Sequence, residues 1–227
     1  MSDVRDRPVI TQDALIARLV RDLRPVRRVL APWKRTAIWL AAVLWLGVLF
    51  GLFTDFATLR HRLLETPDMG LAVAGALGTA VLAAFAAFAT SMPDRSPRWG
   101  LLPLPAVAVW VSSSTLGCLR MPAAAHTIAE PAGHMMNCIY FLLLVSLPLG
   151  ALMLVLLLRG YPLRPGLTTL LGGLASAGAA AALLSMIHPF DATASDLLAH
   201  LAAVIAIVVA VRFAGVRAGP LGGWKKR

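Results

Sequence analysis

The stretch Leu167–Ile187, LTTLLGGLASAGAAAALLSMI, decides the fold class because its 21 residues contain no charged side chain. An α-helix rises 1.5 Å per residue, so this stretch would be about 30 Å long, the thickness of the hydrocarbon core of a bilayer. The whole chain is 59% hydrophobic and 14% charged, whereas soluble domains carry roughly 25% charged residues. The sequence therefore predicts a membrane protein.

Five further apolar segments accompany this one, and none of the six contains Asp, Glu, Lys or Arg. We predict an all-α polytopic membrane protein with six transmembrane helices, preceded by a short cytoplasmic amphipathic helix. The predicted organisation is a cytoplasmic N-terminal segment (1–35), a six-helix domain (36–213) and a basic cytoplasmic tail (214–227). The other predicted spans are Thr36–Phe53, Leu71–Ser91, Gly100–Gly117, Ile139–Leu158 and Leu197–Val211.

The positive charges are distributed unevenly between the two sides of the predicted bundle. The formal net charge is +10, and 18 of the 21 Lys and Arg fall on the side that holds both termini. The other side receives only Arg60, Arg62 and Arg120. Because cytoplasmic loops carry the excess of Lys and Arg, this bias predicts that both termini are cytoplasmic.

The contents of the spans argue against two classes of function. Pumps and transporters usually need charged residues or interrupted helices inside the membrane, and His200 is the only ionisable side chain within the predicted spans. No catalytic sequence motif is present, so we predict that the chain is not an enzyme and has no cofactor. Small residues such as Gly172, Gly173 and Gly178 are expected to pack helices closely, and Trp33 and Trp39 are expected to lie at the cytoplasmic boundary as anchors.

The segment after the third predicted span carries the residues with reactive side chains. Cys118 and Cys138 bracket 19 residues on the side opposite the termini. A structural disulfide there would contribute about 3 kcal/mol; unpaired buried thiols, a redox-responsive pair and a soft-metal site remain alternatives. Their spacing matches no specific zinc motif, so no metal ligand is assigned; the weak candidate ligands are His126, His134 and His188.

The N-terminal segment predicts an amphipathic helix that begins at Thr11 and stops before Pro25. Apolar residues recur along one side of it at helical spacing, and Arg18 and Arg21 fall on the other side. Either anionic lipid or a groove on a cytoplasmic protein would suit such a stripe. The residues of the stripe are Leu15, Ile16, Leu19, Val20 and Leu23.

Several short motifs, in their order along the chain, resemble the NrsF-like membrane anti-sigma factors. LIARLVRDLRPVRRVLAPWKR (15–35) resembles the leading helix, the Pro-Val-Arg-Arg turn and the basic run of that family. The similar features of the second half are Cys138 with the following SLPL (146–149), LLLRGYPLRP (156–165), GGLASAGAAAALL (172–184) and His188.

The resemblance implies a six-span protein of the bacterial inner membrane that acts as a regulator. Its N-terminal segment would sequester an extracytoplasmic-function sigma factor and release it on a periplasmic stress signal. The implied partners are that sigma factor and the bilayer, with no direct contact with nucleic acid. The predicted partner-binding residues are Leu15, Ile16, Arg18, Leu19, Leu23, Pro25, Arg27 and Arg28.

One position departs from the family's pattern. The family usually has a second cysteine just after the His at the end of the fifth span, where this chain has Pro189. Cys118 is the only other cysteine that could pair with Cys138, so these two are the candidate redox or sensing residues. The alternative class is a six-span transporter or metal-handling protein whose N-terminal helix lies on lipid. Neither the inducing signal nor the oligomeric state follows from the sequence.

Overall fold

A computed structural model of the chain describes residues 11–21, 29–120, 132–160, 162–187 and 194–218. The described residues form helices joined by turns, without a strand. The first helix, α1, is Gln12–Arg21, and a short 3-10 helix occupies Pro97–Leu101. The remaining helices are α2 (Pro32–Gly51), α3 (Phe56–Glu65), α4 (Pro67–Thr90), α5 (Leu104–Arg120), α6 (Ala132–Leu158), α7 (Pro165–Ile187) and α8 (Ala194–Ala218).

Within the described ranges, five helical segments are long and apolar enough to cross a membrane. They agree with the first five predicted spans to within four residues at each end. The sixth predicted span, Leu197–Val211, lies inside α8, whose described apolar stretch Leu201–Ala214 is shorter than a full span. The sixth crossing therefore stays a prediction. The five segments are Pro32–Gly51, Pro67–Thr90, Pro97–Leu116, Tyr140–Leu158 and Pro165–Met186.

The long helices pack around α4 and α7, which share the most extensive contact in the described part of the chain. Glycines allow this contact: a Cβ added at Gly178 would lie 2.9 Å from the carbonyl oxygen of Ala76, and one at Gly173 would lie 2.8 Å from Cα of Val208 in α8. Helices in lipid associate by such close backbone approach. The predicted packing role of the small residues in the fifth span is confirmed at these two positions.

Basic residues collect at one end of the bundle. This end holds the first turn of α2, the connection after α4 (91–96) and the connection after α6 (159–164), and we call it the basic end. Nη1 of Arg164 donates to the carbonyl oxygen of Arg95 at 3.0 Å and so joins two of these parts. Lys34 and Arg98 lie at the same end. The described basic residues that the sequence assigned to the cytoplasmic side of these helices therefore share one end.

Helix α3, between the first two spans, is absent from the sequence prediction. The Asp55 side chain caps it by accepting from the amides of Ala57 (3.0 Å) and Thr58 (3.3 Å), and Thr58 Oγ1 donates to it at 2.6 Å. The Thr58 hydroxyl first, and then the amides of Thr58 and Ala57, lower the pKa of Asp55 below its ordinary value. Hydrogen bonds to the ionised carboxylate have this effect because they stabilise the charged form.

Candidate partner-binding segment and its junction with the bundle

Helix α1 begins at a side-chain cap. Oγ1 of Thr11 accepts from the amide of Ala14 at 3.4 Å, and the Thr11 carbonyl accepts from the amide of Leu15 at 3.0 Å. The first contact satisfies an amide that has no backbone partner within the helix, and the second is the first backbone hydrogen bond of the helix. Asp13 lies in the first turn, where the positive end of the helix dipole favours a carboxylate.

The apolar stripe of α1 is open to its surroundings. Leu15, Ile16, Leu19 and Val20 are all exposed, between 46% and 60% of their surface. In a helix, residues three and four apart occupy neighbouring positions, so these four side chains form one continuous apolar surface. The described residues therefore leave a surface that is available to a partner.

The structure does not test the other predicted partner-binding residues. Arg18 belongs to α1, but the structure does not describe its side chain. Leu23, Pro25, Arg27 and Arg28 lie outside the described residues altogether.

The predicted sensing residues are placed only by their backbone. Cys118 is in the last turn of α5. His134 and Cys138 are in the first and second turns of α6. The structure does not describe the side chains of these three residues. His126 and His188 lie outside the described residues. Among the residues that are described, no three His, Cys, Asp or Glu side chains are grouped so that they could hold a metal. The redox and metal alternatives stay untested predictions.

A buried arginine, which sequence analysis assigned to the basic run before the first span, lies at the junction between the N-terminal segment and the bundle. Arg35 is in the first turn of α2 and only 3% exposed. Its Nη1 donates to Ser91 Oγ at 3.2 Å, at the end of α4, and its Nη2 donates to the carbonyl oxygen of Leu156 in α6. The guanidinium carbon also lies 4.6 Å from the ring centre of Phe88, a cation–π distance.

Trp39, one helical turn further along α2, does not lie where the sequence analysis placed it. It was predicted to anchor the boundary of the membrane, but its side chain has no exposed surface. Its Nε1–H donates to the carbonyl oxygen of Leu149 in α6 at 3.0 Å. A buried indole needs such an acceptor because an unpaired N–H in an apolar interior is costly. Trp39 therefore belongs to the helix interface, whereas Trp33 is exposed.

A sequence signal for this junction exists in hindsight. Arg35, Trp39 and Val43 are spaced four residues apart, so they share one face of α2, and all three are buried. Pro32 occupies the first turn of α2, a position that proline favours, and it starts the helix before the charged residues end. The uncharged run alone put the first residue of the span at Thr36, and so excluded Arg35.

A family model described as NrsF, negative regulator of sigma F, matches residues 19–218, which is most of the chain. The chain belongs to the NrsF family. The resemblance drawn from the sequence motifs is thereby confirmed. Comparisons with curated proteins and with solved structures found no match.

Membership of the NrsF family identifies the chain as a negative regulator whose partner is a sigma factor. The matched range begins at Leu19 inside α1 and ends at Ala218, the last residue of α8. It includes the Arg35 junction and both cysteines. Leu15, Ile16 and Arg18 lie just before the NrsF match.

Proposed function

We propose that this NrsF-family protein is a membrane-bound anti-sigma factor that holds an extracytoplasmic-function sigma factor through residues 11–30. The open stripe of α1 is the observation that carries the proposal. A regulator of a sigma factor needs a surface on which to bind it, and the four exposed apolar residues of α1 form such a surface ahead of the first spanning helix in the chain.

The apolar spacing of α1 favours a protein groove as its binding site. A short isolated helix is marginal in water, so binding to a partner would supply much of its stability. Each Leu or Ile side chain that becomes fully buried contributes about 1.5–3 kcal/mol before ordering costs. Helices bind in protein grooves through apolar residues at this spacing. Arg21, which is exposed on the other side of α1, would affect orientation and association rate.

The test is co-purification of the full chain from its native membrane, with the bound protein identified by mass spectrometry. The wild-type chain should bring down a sigma factor in equal amount, and Leu19→Asp should lose it because a carboxylate replaces the most exposed of the four described apolar side chains of the stripe. Ala14→Asp is the matched control, since it adds the same charge on the opposite side of α1. The proposal fails if the wild-type chain retains no sigma factor or if both variants retain it equally.

Lipid is the competing partner for the stripe. Flotation of the isolated α1 peptide with anionic vesicles, with and without Leu19→Asp, measures that alternative directly. An α1 that binds vesicles while the full chain binds no sigma factor would favour a protein whose N-terminal helix only lies on the membrane.

We further propose that both termini are cytoplasmic, that the protein resides in the bacterial inner membrane, and that a signal on the outer side releases the sigma factor. The excess of basic residues on one side supports this orientation. Cys118 and Cys138 are the proposed sensing residues. Thiol labelling of intact cells before and after oxidant should show protection of Cys138 on oxidation, and Cys138→Ser should impair release. An unchanged labelling pattern together with normal release in that variant would remove the redox trigger and leave sigma-factor binding intact.

A further inference from the structure

Helices α2 and α6 are joined by two long side chains of α2. Arg35 donates to the carbonyl oxygen of Leu156, and Trp39 donates to that of Leu149. The two donors are one turn apart on α2, and their acceptors run in the opposite direction along α6, so the two helices are antiparallel here. Both bonds lie in apolar surroundings where water does not compete, since Arg35 and Trp39 are buried.

Arg35 also caps the end of α6. The last turn of that helix tightens, because the amide of Gly160 donates to Leu157 at 3.0 Å and not to Leu156. The Leu156 carbonyl is therefore free to accept from the arginine, as the last carbonyls of a helix need an outside donor. The partial negative charge at the ends of α4 and α6 favours a cation between them.

Gly160 leaves the room that this arrangement needs. A Cβ at position 160 would lie 3.2 Å from both terminal nitrogens of Arg35. That distance is tighter than most side-chain contacts, so a Cβ there would shift the guanidinium by a few tenths of an ångström.

Helix α6 connects this junction with the opposite end of the bundle. It is one helix from Ala132 to Leu158, with Cys138 near its start and Leu156 near its end. A shift of α6 along its axis would therefore act on Arg35. Residues 29–31 directly precede α2 and lead back to the N-terminal segment, so the first turn of α2 fixes the direction in which that segment leaves the bundle.

We propose that Arg35 is a positioning residue that clamps the first turn of α2 to the ends of α4 and α6, and that movements of α6 reach the N-terminal segment through this clamp. The proposal rests on the proposed function in one respect, which is that the segment binds a sigma factor. The clamp itself is a property of the bundle and is measurable without that partner.

The first experiment measures the clamp in the full chain, reconstituted in lipid nanodiscs. Spin labels are attached at Leu30→Cys and Asp94→Cys in a background with Cys118→Ser and Cys138→Ser. The distance distribution between the labels should be narrow with Arg35 present and should broaden in Arg35→Met. Arg98→Met removes the same charge from an exposed position at the same end and should leave the distribution narrow.

The second experiment measures sigma-factor affinity of the same Arg35 variants in the unlabelled chain, without the cysteine substitutions. Arg35→Met should weaken binding about tenfold, a size typical of coupling between distant sites. Arg35→Lys should restore the charge but not the two-directional hydrogen bonding, and so rescue only part of the loss. A merely structural arginine would change thermal stability but neither the distance distribution nor the affinity of the folded protein.

If Arg35→Met does not fold, Gly160→Val serves instead, since its larger side chain fills the room beside the guanidinium and leaves the charge of Arg35 in place. The clamp is overturned if the folded variant has the wild-type distance distribution and the wild-type sigma-factor affinity. Loss of binding in Leu19→Asp is the control which shows that the affinity measurement responds to the apolar stripe of α1. Failure of the wild-type chain to bind a sigma factor overturns the proposed function, and the distance measurement then still decides whether the clamp exists.

Discussion

Trp39 and Trp45 lie on the same helix, α2, but have opposite surroundings. Trp39 is fully buried with its Nε1–H bonded to Leu149, whereas Trp45 is 65% exposed. We expect Trp39→Phe to lower the free energy of unfolding by about 1 kcal/mol, because the hydrogen bond is lost. Trp45→Phe should change it by less than about 0.5 kcal/mol. Unfolding of the purified protein in mixed micelles measures both, and equal losses would contradict the burial of Trp39.

Asp55 makes the start of α3 sensitive to acid. Its pKa is lowered in the folded chain by the Thr58 hydroxyl and the amides of Thr58 and Ala57, so the ionised form stabilises the cap. This stabilisation is present above the ordinary carboxyl pKa of about 4 and is lost as pH falls through the lower folded value.

We therefore expect the hydrogen-exchange protection of the Thr58 amide to fall below about pH 4. Asp55→Asn should show weaker dependence on pH in the same range, because its side chain does not titrate. Protection factors corrected for intrinsic exchange measure the effect, and an identical pH profile in the two proteins would rule out the carboxylate as its source.

At the scale of the helices, Gly75 sets the distance between α4 and α5. A Cβ at this position would lie 2.6 Å from the backbone nitrogen of Trp110, and that backbone cannot yield as a side chain can. We expect Gly75→Ala to destabilise the protein by about 1–3 kcal/mol through overpacking. Gly166→Ala is the control, because nothing lies within 4 Å of its added Cβ. Equal stability of the two variants would show that α4 and α5 are not in close contact.

The predicted and observed helices differ mainly at their first residues. The spans were predicted from runs without charge, but the helices start at prolines, which suit the first turn because their missing N–H has no partner there. Helix α3 was not predicted, since ten residues of mixed polarity with two arginines give no signal comparable to an uncharged run. The helices or helical segments that start at a proline are those beginning at Pro32, Pro67, Pro97 and Pro165.

At the scale of the whole molecule, the position of the C-terminus depends on whether α8 crosses the membrane. Its described apolar stretch, Leu201–Ala214, is the shortest of the candidate spans. The basic residues predict a sixth crossing, because Arg212 and the tail then join the other basic residues on the cytoplasmic side.

We expect alkaline phosphatase fused after Arg227 or after Ser96 to be inactive, and the same enzyme inserted within 121–131 to be active. A fusion to a chain truncated after residue 190, before α8, should become active and serves as the control. Activity of the fusion after Arg227 would mean that α8 does not cross and that the two termini lie on opposite sides.

The sequence by itself determined that the chain is helical and which family it resembles, and five of the six spans that it predicted agree with described helices long and apolar enough to cross a bilayer. These properties depend on local quantities: the length of an apolar run, the placement of charge, and short motifs in order. The amphipathic character of the N-terminal helix was also predicted from local information, the helical spacing of apolar residues along the sequence.

Only the tertiary structure decided which residues of α2 face the bundle. Arg35 was assigned to the basic run before the first span and Trp39 was expected at the membrane boundary, yet both are buried and bonded to α6. Whether an Arg or Trp side chain in an apolar helix is buried depends on whether a neighbouring helix offers it a hydrogen-bond acceptor. Here the acceptors belong to α6, more than a hundred residues away along the chain, so the local sequence of α2 does not reveal them.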